Sequence, residues 1–343
     1  MIARAIVGLL VSSLGAPAQI HRAHYVPGDD EIRAILQQRV EHEQQSTGVV
    51  VGVIDSSGER VIGDPGILDG DSIFEIGSLT KIFTAMLLSD MALRGEVKLG
   101  DPAAKYVPAK LPASISLQDL ATHTSGLPRM PSNFAADGYT RQMLLDFLSR
   151  YEPPPNAEWK YSNLDYGVLG LAIAPDYETK LRSRITEPLE MNSTRVTLPP
   201  EDHARIAAGH DDHLTPVPAS NFGALAPAAG LHSTANDLLK LLSAVLGYRR
   251  TSLAPAMTAM LNVRRATSTP GLTNALGWQI SMPDGLEIVW KDGETPGYSS
   301  FLGFNAKAGV GVVVLSNTST ARGVNDIGMY ILDGASQLFR RVR

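Results

Sequence analysis

Residues 48–54 read Gly-Val-Val-Val-Gly-Val-Ile, a β-branched apolar run closed by Asp55-Ser56-Ser57-Gly58 and followed by Glu59 to Ile62. An apolar run of this kind, bounded by turn formers, reads as a strand, a turn and a second strand. The same signature returns near the other end of the chain, at Glu287–Trp290, Ser299–Phe304 and Gly309–Leu315. Between the two ends the pattern is helical. Ser78 to Leu93 is apolar almost all round, with Ile82, Phe83, Met86, Leu87, Leu88 and Met91, so it is expected to be a buried helix stopped at Gly95. Further helices are expected at Gln142–Tyr151, Tyr166–Ile173, Glu178–Ile185 and Asn236–Leu246, with Pro-rich connections at 153–155 and 199–200. Gly323–Arg341 reads as a closing helix. The pattern predicts an α/β fold with one sheet drawn from both termini. Residues 19–99 and 271–343 would form the α/β region, and 100–270 an inserted helical region.

Composition narrows the function. The chain has 343 residues, 44% hydrophobic and 19% charged, enough for a sizeable core without staples. It has no cysteine, which removes disulfides, Cys-bound zinc and thiolate catalysis. The formal charge is −5 with no basic block, so nothing favours nucleic acid or an anionic membrane surface. Arg4, the apolar stretch Ala5–Leu14 and Ala16-Pro17-Ala18 have the order of an export signal covering residues 1–18 and cut after Ala18. That stretch is shorter than the roughly 20 residues a bilayer span takes. The expectation is an exported protein, periplasmic or secreted, whose mature chain has no membrane partner.

The chemistry starts at Ser78-Leu79-Thr80-Lys81. Residues three apart share a helix face, so Lys81 can reach the Ser78 hydroxyl. A free hydroxyl is a poor nucleophile until a neighbour takes its proton, and a buried amine with a depressed pKa can do so. Ser78 at a helix start also turns its own N–H toward a developing oxyanion. No other Ser in the chain has a Lys three residues on. Alone, the pattern more often marks a Ser cap beside a surface Lys. Tyr161-Ser162-Asn163 is the chain's one Y-x-N. A phenol near lysines loses its proton more easily and can exchange it with Ser78, while Asn163 can bond both Lys81 and a substrate amide. Trp290 to Tyr298 (WKDGETPGY) reads as a strand end and a Gly-rich turn. Period 2 puts Lys291 and Gly293 on one face, where Lys291 can bind a carboxylate and Gly293 allows close approach of a substrate.

Ser78-x-x-Lys81, Tyr161-x-Asn163 and Lys291-x-Gly293, in this order, resemble the penicillin-recognising serine hydrolases: class C β-lactamases, related DD-peptidases and family VIII carboxylesterases. Flanking segments agree, namely residues 121–128 (ATHTSGLP), 230–238 (GLHSTANDL) and 297–301 (GYSSF). The resemblance implies a β-lactamase-like sandwich, an antiparallel sheet flanked by helices with an all-helical region inserted and the site between them. It implies acylation of Ser78, acid–base work by Lys81 and Tyr161, and substrate held by Asn163 and Lys291. The oxyanion hole would use the N–H groups of Ser78 and Glu294, with no metal and no cofactor. The substrate would be a small molecule: a β-lactam amide, or alternatively an ester or a D-Ala-D-Ala peptide. A penicillin sensor acylated once without turnover is the reading from another class.

Three departures bear on the substrate. Asp292 stands where β-lactamases usually carry a hydroxyl residue, although a regular strand would turn it away from Lys291. Ala229 replaces an aromatic wall, and the stretch from Leu171 to Tyr177 is short. Gly209-His210-Asp211-Asp212-His213 is expected to be a hairpin loop and His123 a structural hydrogen-bonder. Neither G-x-S-x-G nor H-E-x-x-H occurs in the chain.

Overall fold

The run at 48–54 becomes β1 (Val49–Asp55), and it pairs antiparallel both with β2 (Gly58–Ile62) and with a strand from the far end of the chain. The structure is a computed structural model that describes residues 25–63, 68–136, 138–154, 157–320 and 323–338. The export signal read at 1–18 lies outside the described residues. A two-residue ribbon joins β3 (Phe74–Glu75) to β4 (His232–Ser233). The remaining strands are β5 (Arg265–Ala266), β6 (Leu272–Asn274), β7 (Gln279–Ser281), β8 (Ile288–Thr295), β9 (Tyr298–Asn305) and β10 (Val310–Ser316). They complete an antiparallel sheet in the order β2-β1-β10-β9-β8-β7-β6-β5. The two ends of the chain meet at the β1–β10 pair, in a register that sets Val49 opposite Ser316.

Alternation along β1 explains its unbroken apolar run. Val49, Val51 and Val53 pack with Ile32, Ile327 and Ile331, while Val50 and Ile54 join the larger core on the other face. Both faces are covered, so neither set of positions can be polar. One cover is made by α1 (Asp29–Gln37) and α10 (Asn325–Asp333). The other contains α2 (Thr80–Leu93), α3 (Leu117–Thr122), α4 (Arg141–Arg150), α5 (Asn163–Ile173), α6 (Tyr177–Leu181), α7 (Ala226–Ala229), α8 (Ala235–Val245) and α9 (Ala254–Asn262). Among these, α8 lies directly on β1 and β10, so one helix from the middle of the chain covers the sheet. As its composition predicts, α2 is buried from Thr80 to Met91, with α5, α7 and α9 around it.

Three local expectations change. The closing helix stops at Asp333, because Gly334 takes φ +66 and ends it in the left-handed region. The helix expected from Ser78 begins with a tight 3₁₀ turn at Gly77–Leu79, and regular α-helix starts at Thr80. Lys291 to Glu294 lie inside β8, and the turn comes later, at Pro296-Gly297. Gly293 is extended there. A Cβ on it would fall 2.9 Å from the Ser78 nitrogen and would overlap the Ile76 carbonyl, so this glycine answers to close packing and not to a turn.

Candidate active site

Ser78 sits at the start of the α2 segment, but its side chain makes no capping bond and Lys81 is fully buried. A helix cap beside a surface Lys is therefore not what the chain builds. Lys81 Nζ donates to Ser78 Oγ (3.1 Å), Asn163 Oδ1 (2.8 Å) and the Ala228 carbonyl (2.8 Å), which uses all three of its protons. The Tyr161 hydroxyl donates to Ser78 Oγ at 2.6 Å. The nucleophile candidate thus has two groups within direct reach, and whichever of them is deprotonated can accept its proton.

The local fold accounts for this arrangement. Thr84 Oγ1 donates to the Pro227 carbonyl (2.7 Å), and Thr80 Oγ1 accepts from Leu231 N–H (3.1 Å). One helix turn apart on α2, the two residues hold segment 227–231 where Ala228 can meet Lys81. Ser162 caps α5 by accepting from Asp165 N–H, and the Arg129 carbonyl takes the Asn163 N–H at 2.9 Å. Tyr161 therefore stands just before a capped helix whose cap, Ser162, is extended, and Asn163 opens that helix. The Asn163 amide donates to the Met130 sulfur at 3.4 Å, a weak partner that a substrate carbonyl can displace. His123 accepts the Ser162 N–H on Nδ1 (3.2 Å) and lies against the Tyr161 ring, centroids 4.6 Å apart. It positions the tyrosine, in line with the structural role expected of it.

Charge completes the picture. Burial pulls the Lys81 amine down to about 8, helped by the nearby Lys291 and partly offset by Tyr161. Burial alone would raise the Tyr161 phenol. The Lys291 and Lys81 ammonium groups outweigh it and bring the phenol down to about 8. Their nitrogens lie 4.8 and 4.9 Å from the centre of its ring, and the Arg129 guanidinium lies 5.1 Å from it.

The cleft holds about 300 Å³ and is walled by Ser78, Tyr161, Asn163, Arg129, Phe222, Ala229 and the Lys291–Glu294 stretch. β7 leaves β8 after Gln279 pairs with Trp290, so beyond Trp290 the β8 edge faces the nucleophile turn instead of a strand. Ser300 Oγ donates to the Ile76 carbonyl (2.9 Å) and tethers the two segments. Ser78, Tyr161, Asn163, Lys291 and Glu294 therefore line one cleft, Lys81 lies buried beneath it with bonds to Ser78 and Asn163, and Glu294 brings its backbone near Gly77.

Asp292 did not behave as strand alternation alone predicts. Its carboxylate reaches back to 3.5 Å from Lys291 Nζ and also accepts from Asn325 Nδ2 (3.2 Å). Gly77, Arg129 and Phe222 belong to the site without a motif of their own in the sequence. Gly77 had a signal, because it immediately precedes the S-x-x-K. It adopts φ +49, and a Cβ there would stand 2.7 Å from the Glu294 nitrogen. The 209–213 segment is a tight hairpin in which Asp211 accepts from the His213 and Thr215 amides.

A family model described as Beta-lactamase matches residues 32–336. The D-alanyl-D-alanine-carboxypeptidase/endopeptidase AmpH of Escherichia coli is 28% identical over 90% of this chain and 91% of its own length. A Beta-lactamase of the same organism is 34% identical over 49% of this chain, which spans about half (46%) of that relative. Among solved structures, the class C beta lactamase from Rhodobacter sphaeroides superposes with a TM-score of 0.78 at 25% identity, covering 87% of this chain and 97% of that one. The D-alanine carboxypeptidase AmpC from Burkholderia cenocepacia has a TM-score of 0.77 at 24% identity, with 90% and 100% covered.

Proposed function

The chain belongs to the beta-lactamase family of serine hydrolases, and from that membership we propose that it opens β-lactam amides through an acyl-enzyme on Ser78. The observation that carries the reading is the pair of hydrogen bonds at the Ser78 hydroxyl, from Tyr161 at 2.6 Å and from Lys81 at 3.1 Å. In this reading Ser78 Oγ attacks the carbonyl carbon and gives its proton to the Tyr161 oxygen or the Lys81 nitrogen. The N–H groups of Ser78 and Glu294 receive the oxyanion. Collapse of the tetrahedral intermediate breaks the C–N bond, and the leaving nitrogen takes the proton back. Water then releases the acyl group. Asn163 and Lys291 hold the substrate, and no step calls for a metal or cofactor. Nitrocefin, short p-nitrophenyl esters and D-Ala-D-Ala peptides assayed side by side test the substrate assignment. Stoichiometric labelling without turnover would replace it with a sensor.

Activity should follow the two depressed groups. At low pH both Lys81 and Tyr161 carry their protons and no base faces Ser78. As pH rises through about 8 the pair loses a proton and a base appears. The expected kcat/KM profile therefore climbs through about 8 and levels above it. A profile flat from pH 6 to 9 would remove both groups as the titrating base.

The Lys291–Asp292 contact favours a second reading, hydrolysis of esters that lack a carboxylate, because the ammonium is already countered. Asp292→Thr frees Lys291 for a charge-assisted bond worth roughly 1.5–3 kcal/mol. The variant should lower KM for a carboxylate-bearing cephalosporin about tenfold or more while changing KM for a neutral p-nitrophenyl ester far less. An unchanged cephalosporin KM would mean that Asp292 does not restrain Lys291.

A further inference from the structure

The cleft is polarised across its width. On the β8 side stand Lys291, Asp292 and Glu294: one ammonium whose side chain is only 6% exposed, and two carboxylates. Lys291 is countered by Asp292 at 3.5 Å, while Glu294 is exposed and, among the described residues, has no cation within ion-pair distance. Lys81 lies beneath the cleft floor with all its protons engaged. The helical side differs. Arg129 lines the cleft there, exposed, with its guanidinium over the Tyr161 ring and no carboxylate within ion-pair distance among the described residues. Its backbone is pinned to the start of α5 by the bonds its carbonyl accepts from Asn163 and Leu164. The side chain therefore leaves from a fixed point beside Asn163.

We infer that Arg129, and not Lys291, receives the anionic group of the substrate, so that the natural substrate carries a carboxylate or similar anion on the part lying against the Arg129–Tyr161–Asn163 wall. An anion placed on the β8 side would meet two carboxylates and one neutralised ammonium. Placed on the helical side, it meets a guanidinium that feels Glu294 only across the cleft, beyond ion-pair distance, and whose planar fork can bond both oxygens of a carboxylate. The ring beneath holds that guanidinium in the same assembly as the Tyr161 hydroxyl, so an anion anchored there is tied to the reacting group. Across a cleft of this size the opposed charges also orient a polar substrate before it reaches Ser78.

This inference rests on the acyl-enzyme reading of the cleft, and the two can fail separately. Labelling of Ser78 in the wild type by a fluorophosphonate probe tests that reading. The inference is tested by NMR titration of the non-reactive Ser78→Ala protein with three stable amides. These are butyranilide, succinanilic acid, which has a carboxylate on the acyl side, and 4-butyramidobenzoic acid, which has one on the amine side. One of the two acids should bind at least tenfold tighter than butyranilide. That advantage should disappear when Arg129→Ala is added, persist in part with Arg129→Lys, and survive Lys291→Ala. No advantage for either acid, an advantage that outlives Arg129→Ala, or one lost with Lys291→Ala would each overturn the assignment. Butyranilide should bind the Arg129→Ala protein about as well as it binds the parent, which separates loss of the anion contact from a loss of structure.

Discussion

Ser78→Ala should reduce hydrolysis of every substrate to background, a loss of about 10⁴-fold or more, and should abolish covalent labelling. The size follows from the geometry. Ser78 supplies the only hydroxyl that both Tyr161 and Lys81 contact among the described residues. The fold has little to lose in the exchange. Ser78 makes no cap for the 3₁₀ turn or for α2, its side chain is half-buried at the cleft, and the surrounding helix is fixed by Leu79, Ile82 and Phe83, each fully buried. Lys81 keeps its bonds to Asn163 and Ala228. The variant should therefore unfold within a few degrees of wild type. The paired measurement is intact-protein mass after incubation with a β-lactam or a fluorophosphonate, beside a thermal melt. An acyl adduct on a well-folded Ser78→Ala protein would mean that another nucleophile does the work.

Much of this arrangement was legible in the sequence, and the reason is local. β1 from Val49 to Ile54 and α2 from Thr80 to Met91 are buried on all sides, so their composition alone declares them. The S-x-x-K spacing translates directly into a shared face, and Tyr161-x-Asn163 straddles a helix start whose cap, Ser162, is itself a sequence signal. What escaped depends on long-range packing. Strands β5 to β7 span two or three residues each and inherit their extended form from β8, so no periodicity marks them. Gly293 reads in sequence as a place where a substrate comes close, and only the Ile76–Ser78 backbone packed against β8 shows that the close neighbour is the nucleophile turn itself. Arg129 follows a Leu-Pro pair in a loop, and nothing near it in the chain reveals that Tyr161 lies under its guanidinium. Asp292 shows the limit of alternation. Its Cβ obeys the strand, but two further bonds let its carboxylate swing back to Lys291.

Tyr161→Phe separates chemistry from packing more finely, because the exchange removes one oxygen and keeps the ring. The ring's contacts with His123 and with the three cations around it remain available. The lost groups are the 2.6 Å bond to Ser78 and the phenol that the Lys291 and Lys81 charges bring, against the effect of burial, to about 8. If that oxygen exchanges protons with Ser78 and with the leaving group, kcat should fall by about 10²–10⁴-fold, with a far smaller change in KM. The residual activity carries a second signature. Tyr161 acts on the Lys81 amine in the direction that raises its pKa, opposing burial. Without the phenol, Lys81 becomes easier to deprotonate, and it is the one base left at Ser78. The rising limb of the residual kcat/KM profile should therefore move to lower pH than in wild type. A purely structural tyrosine predicts neither result. Wild-type turnover with an unmoved limb would return Tyr161 to the packing of the cleft wall and leave Lys81 to accept the Ser78 proton alone.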